Sequence, residues 1–539
     1  MRQPKSLTLI YVSIIALPLL LPGYILSLDV SWGPVYPRTS LDSSLGIFSL
    51  LLHLLNFSFG WLPQKIILFL TISLTGLGSY KLFNHTERLQ QNRVSHLAAI
   101  VYIFNPFFYS RFVAGQWLVL IGYALLPWII LALWKFLQKP EFKTAWPVLA
   151  WLMAIGLTSI HTLGIVALVA VVMFFVTIRE QVKVKLIWGV GIITSWIVLN
   201  LMWLIPFITG SSRSGQSVQS FGESQLQAFA TNGTIFDSPV LSALFLTGFW
   251  ADDQGRYSLP SNLGILWYIA AFLLFALMVT GVAYVIKKKD KLGISITIAG
   301  FIAWILAIGV ASQVTAPLAY FLHEHLPLYA GYREPQKWLM LLAVAYAYLG
   351  TFGLVYTLDF IKERKLEKLV YPITIIACIL PILFAPNLAR GAGGQLKSVQ
   401  YPAGWTEAAE VLKDEPKDTK VLVLPWHMYL HVRFADRVVA NPTRYYFTQD
   451  MIVGNNSELK GVPIINENEL YAYINNELLP QRNKITNAGE RLRGYGVEYV
   501  MLLKEADYRT YGWVNKQTGF DAVLDNDSMT LYRIRGEAK

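Results

Sequence analysis

The chain has 539 residues, 54% of them hydrophobic, with 17 tryptophans, one cysteine and a formal charge of +11. That charge alone would suggest a nucleic-acid partner. However, about 26 basic and 15 acidic residues precede residue 389 and about 19 of each follow it, so the excess sits in the apolar part of the chain and nucleic-acid binding is excluded. Cys378 falls in the last apolar segment, which leaves the tail without a disulfide, and there is no Cys/His cluster for zinc or iron and no glycine-rich phosphate loop.

About eleven apolar segments lie between residues 7 and 388. The first, roughly 7–28, is longer than the core of a secretory signal and has no small-x-small cleavage site, so it reads as a retained anchor rather than a removed leader. The others cover approximately 62–83, 94–110, 115–137, 145–160, 162–178, 185–207, 262–286, 292–312, 336–358 and 369–386. Most approach the ~20 residues needed to cross ~30 Å of hydrocarbon. An apolar stretch at 45–59 is too short to span and is expected along the interface or dipping into the bundle.

Basic residues occupy alternate connections. Lys81/Arg88/Arg93, Lys135/Lys139/Lys143, Arg179/Lys183/Lys185, Lys287/Lys288/Lys289/Lys291 and Lys362/Arg364/Lys365/Lys368 join Arg2 and Lys5 on one side, about nineteen in all. The other side has about seven: Arg38, Lys65, Arg111, Arg213, Arg256, Arg333 and Lys337. Loops rich in Lys and Arg stay cytoplasmic, so the N-terminus is expected inside and the tail outside. The chain thus divides into a transmembrane part, 1–388, and an extracytoplasmic α/β domain, 389–539. Within the tail, 406–412 and 467–479 read as helices and 420–424 and 497–503 as strands. Asp525-Asn526-Asp527 is turn chemistry for a hairpin of 520–524 with 529–534.

Candidate chemistry gathers on the outer side. Asp29 directly follows the first segment, where an acid is costly unless paired or used. Arg111 lies in NPFFYSRFVAGQW, in a short turn between spans, and His161 in the tight turn TSIHT; Arg333, Glu334 and Lys337 share GYREPQKW before a late span. Each has a plainer reading: a loop carboxylate, a snorkelling arginine, a packing histidine, an ion pair that fixes a loop. Together, an acid, a histidine and several cations at one membrane face suit an anionic substrate and a proton transfer. Asp252-Asp253 in FWADDQGRYSLP is a second acidic position, read as a solvated turn ahead of a metal pair.

The PGY-x4-D start after the first segment resembles the GT-C membrane glycosyltransferases, as do NPFFYSRFVAGQW, GYREPQKW and the tail's YGVEYVMLL and SMTLYRI. The branch it is most similar to contains arabinofuranosyltransferase-like and YfhO-like proteins. The resemblance implies transfer of a sugar from a polyprenyl-phosphate donor, embedded in membrane lipid, to a glycan, lipid or protein acceptor on the outer face. It implies Asp29 as catalytic base, with Arg111, Arg333 and Lys337 as the positions for phosphate contacts; His161, Glu334, Asp252 and Asp253, from their place on the outer side, are further candidate substrate-binding positions. The WWDYG signature of oligosaccharyltransferases is absent and the first loop has no paired acids, so no motif supports a divalent metal cofactor. A lipid-linked glycan transporter would need charges buried mid-span, which are almost absent. A non-catalytic GT-C scaffold that binds glycan or protein is separated from the enzyme only by activity.

Overall fold

The computed structural model describes residues 12–86, 94–178, 181–212, 215, 216, 218, 221–326, 328–456, 459, 462 and 468–535. Residues 7–11 of the first expected segment, and Arg2, Lys5, Arg88, Arg93, Arg179 and Arg213, therefore lie outside the described residues. The chain forms two compact units: one comprises 1–18, 39–50 and 66–395, the other 19–38, 51–65 and 396–539.

The first unit is helical. Among the described residues seven helices are long and apolar enough to cross a membrane, or eight if the bent pair α1 (Ser95–Ile103) and α2 (Pro106–Ala114) counts as one span, and the chain is a multi-pass membrane protein. The expected spans at 145–160 and 162–178 are the shorter helices Phe142–Gly156 and Ile160–Val176. Helix α3 (Leu339–Glu363) is buried from Leu339 to Val355 and packs on the helix Ile265–Lys288. Gly281 and Gly353 make that approach possible: a Cβ at Gly281 would stand 1.8 Å from the Leu349 carbonyl oxygen, and one at Gly353 1.9 Å from that of Leu277. Without a hydrophobic drive between helices in lipid, such backbone proximity is what van der Waals packing requires.

The α1–α2 break corrects the expected turn at NPFFYSR: Arg111 stands on a half-helix. Asn105 makes the break. Its amide nitrogen donates to the Val101 and Tyr102 carbonyls and the Tyr123 hydroxyl, and its side-chain oxygen accepts from Phe108 N–H at 3.0 Å. One residue thus satisfies the end of one helix and the start of the next, with Pro106 in the first turn, where a missing N–H costs nothing.

The second unit contains the tail sheet, ordered β6-β3-β7-β9-β8. Strands β3 (Lys420–Leu424), β6 (Asp450–Ile452) and β7 (Val497–Leu503) are parallel; β8 (Phe520–Asp525) and β9 (Met529–Ile534) add an antiparallel hairpin. Asn526 closes that hairpin by accepting from Ser528 N–H and Met529 N–H. The expected helices appear as Ala403–Leu412 and as Glu469–Tyr473 continued by a π turn over Ile474–Leu478. Part of the stretch after the first segment folds with the tail: β1 (Tyr24–Ile25) pairs with β2 (Ser398–Val399), and Gln64 brackets Ile25 by accepting from its N–H and donating to its carbonyl. Residues 24–28 are therefore strand and turn, not the end of a spanning helix.

Candidate active site

In the helical unit, GYREPQKW folds as two 3-10 turns, Tyr329–Tyr332 and Pro335–Trp338, that lead into α3. Side chains three apart eclipse on a 3-10 turn, and Glu334 Oε1 faces Lys337 Nζ at 3.5 Å. The carboxylate's other oxygen receives Arg111 Nη1 at 3.1 Å. Gln116 ties the two together, accepting from Arg111 at 2.6 Å and donating to Glu334 at 3.3 Å. Lys337 reaches on to His161 Nε2 at 3.3 Å, and the Tyr332 hydroxyl donates to the His161 carbonyl. Arg111 is fully buried, its guanidinium 4.0 Å from the Phe249 ring centroid. Burial raises the Glu334 carboxyl, but the Lys337, Arg111 and Arg333 charges outweigh it and hold it down to about 2.

Arg333 is placed differently. Partly exposed, it lies over two rings, 4.1 Å from Phe221 and 4.6 Å from Phe229. Stacking leaves the edge of a guanidinium, with its forked donors, as the hydrogen-bonding face.

Asp252 is buried and holds its own loop. One oxygen accepts from Gly248 and Phe249 N–H, both at 3.0 Å, and the other from the Tyr257 hydroxyl at 2.6 Å. Burial raises its carboxyl to about 6 against the lowering effect of these bonds and of Arg111. This loop also carries the Phe249 ring on which Arg111 lies. Asp253 is exposed.

Asp29 belongs to the second unit. It occupies a tight turn over residues 27–30, in which Ser27 and Val30 bond to each other. The hairpin of β4 (Tyr429–Val432) and β5 (Arg437–Ala440) grips that turn: Ala440 N–H donates to the Ser27 carbonyl, Ser31 donates to the Ala440 carbonyl, and the Tyr429 hydroxyl donates to Asp29 Oδ1 at 3.1 Å. Lys65, in the same unit, is buried with its ammonium 2.7 Å from the Ser398 hydroxyl, and no ion pair holds it among the described residues. The sequence marked Lys65 only as an external cation. Gln116, Phe249 and Tyr429 went unmarked, since uncharged residues far apart in sequence give no local signal.

No family model matches the chain, and no curated protein does. Solved structures do. Arabinofuranosyltransferase AftD from Mycobacteria overlaps the whole chain at 13% identity and a TM-score of 0.58, and a mutant of it overlaps at 12% and 0.55. The chain spans 40% and 42% of those AftD chains. ArnT from Cupriavidus metallidurans bound to undecaprenyl phosphate overlaps 98% of this chain and 97% of its own at 12% identity, but with a TM-score of 0.35, too low to imply a common fold. The likeness to AftD is one of fold alone: the chain shares the fold of that arabinofuranosyltransferase along its whole length.

Proposed function

We propose that the chain is an integral-membrane glycosyltransferase that moves a sugar from a polyprenyl-phosphate donor to an acceptor on the extracytoplasmic face. The observation that carries this reading is the cluster in which buried Arg111 and Lys337 pair with Glu334, with Arg333 partly exposed beside them, so that three cations share one field with the two carboxylates Glu334 and Asp252. Such an excess of positive charge away from water favours an anion, and a sugar-bearing phosphate supplies one. The AftD-like fold makes glycosyl transfer the first activity to test.

In this scheme Asp29 removes the acceptor hydroxyl proton as that oxygen bonds to the anomeric carbon. The bond from that carbon to the phosphate oxygen breaks, the polyprenyl phosphate departs with the electron pair, and the configuration inverts. Cations at the phosphate stabilise the charge that develops on it. The scheme uses no metal, so transfer should persist in EDTA.

The test is purified protein in lipid nanodiscs, incubated with a panel of polyprenyl-phosphate hexoses and pentoses and candidate acceptors. Release of polyprenyl phosphate with a glycosylated product supports the reading. Donor binding without transfer across the panel favours the non-catalytic scaffold.

A further inference from the structure

The parallel part of the tail sheet runs β6-β3-β7, so in chain order its strands lie second, first, third. The chain leaves β3 for one neighbour and later crosses to the other. Where adjacent strands send their connections in opposite directions, a crevice forms outside their carboxyl ends, and open α/β sheets bind ligands there. In this sheet that point lies between β3, ending at Leu424, and β7, ending at Leu503.

A polar pair bridges it. His427, three residues past β3, places Nε2 2.9 Å from Oδ1 of Asp507, four residues past β7. The second carboxylate oxygen accepts from the Thr510 hydroxyl at 3.2 Å. The side chains are 24% and 45% exposed, so the pair faces solvent instead of closing a core. Trp426, next to His427, is fixed at both ends: its backbone N–H donates to the Tyr511 hydroxyl at 3.1 Å and its indole N–H to Asn475 at 2.8 Å. The loop after β6 comes to the same place, since a Cβ on Gly454 would lie 3.0 Å from the His427 backbone.

We propose that this crevice is a carbohydrate-binding site for a neutral acceptor glycan, with His427, Asp507 and Thr510 as the hydroxyl-binding groups. Sugar hydroxyls each donate and accept, and an imidazole, a carboxylate and a hydroxyl in one short array answer both needs. A salt bridge this exposed contributes little to stability, so its removal tests binding more than folding. The glycan's role as acceptor rests on the transferase reading above; the binding site itself does not.

The experiment uses the full chain in nanodiscs with maltotriose, mannotriose and arabinotriose as probes, observed by saturation-transfer difference NMR. At least one trisaccharide is expected to give a signal in wild type that falls fivefold or more in both His427→Ala and Asp507→Asn, with the melting temperature preserved. If a variant is unstable, Thr510→Val replaces it. Equal signals in wild type and folded variants, or none in wild type, overturn the proposal. Trisaccharide binding by a protein that transfers no sugar upholds this site and sinks the transferase reading. Transfer whose acceptor KM ignores both substitutions upholds that reading and sinks this site.

Discussion

Arg111 and Glu334 are 223 residues apart in sequence and 3.1 Å apart in the fold, one on a half-helix and the other at the turn that opens the central helix. Their contact fixes the start of α3 against the α1–α2 break, and Glu334 serves Lys337 as well. Removing the carboxylate leaves two buried cations facing each other. Glu334→Gln is therefore expected to destabilise the protein by about 3–5 kcal/mol, the usual result of breaking a buried pair from one side. Thermal unfolding in detergent measures it. Adding Lys337→Met should return part of the loss, because one of the stranded charges goes with it. A double variant no more stable than the single would show that charge is not the cause.

Arg333 shares the cluster's field, and its stacked, partly exposed guanidinium suits a ligand better than a core. Arg333→Ala should weaken binding of polyprenyl phosphate roughly tenfold or more, the range of a charge-assisted hydrogen bond. Binding of the uncharged polyprenol, and the melting temperature, should change little. Equal affinity for the phosphate in wild type and variant would leave the stacked arginine a packing role.

How much of this could be read from the chain depends on the range of the interaction that decides each feature. Strands at 420–424 and 497–503 and the turn at Asn526 were legible because short apolar runs and turn chemistry are local. The break at Asn105 was not: NPFF reads equally as a loop, and only the Tyr123 hydroxyl and the helix ends around it show a cap. The hairpin that holds the Asp29 turn had a fair local signal in YLHV and RVVA, but nothing in either strand points back some 400 residues to the first loop. Charge marked Arg111, Glu334 and Lys337 one by one, and packing alone brings them into one cluster with His161.

Orientation rests on the alternation of basic loops, and labelling tests it. In a Cys378→Ser background, Asp253→Cys should react with a membrane-impermeant maleimide in intact cells, since its loop is assigned outside. Lys289→Cys, in the KKKDK turn, should react only after the cells are opened. Labelling of Lys289→Cys in intact cells would reverse the sidedness and every external site with it.

Asp252 gives a pH dependence whose sign can be worked out. Its folded pKa, about 6, lies above the ordinary aspartate value of 3.8, so between those values the native state binds more protons than the unfolded one. Stability should therefore fall as pH rises from about 4 to 6 and level off above that, by on the order of 3 kcal/mol if Asp252 acts alone. Asp252→Asn should flatten that part of the curve, as read by melting temperature against pH. A wild-type curve that rises through the same window would mean that the amide and tyrosine bonds outweigh burial.

Asp29 can be tested by an isosteric change. Its turn is held by hydrogen bonds from Ala440 and from Ser31, and its carboxylate receives the Tyr429 hydroxyl, so the position is fixed by groups that an asparagine leaves largely intact. Asp29→Asn keeps shape and hydrogen bonding and loses the capacity to take a proton at neutral pH. Turnover should drop about 10²–10⁴-fold with donor affinity and melting temperature nearly unchanged. Tyr429→Phe removes only the bond to Oδ1 and is expected to cost far less, acting on orientation rather than on proton transfer. Single-turnover rates with a polyprenyl-phosphate sugar separate the two effects from binding. Wild-type rates in the asparagine variant would exclude Asp29 as the base, whereas a large loss in Tyr429→Phe alone would assign the proton path to the tyrosine.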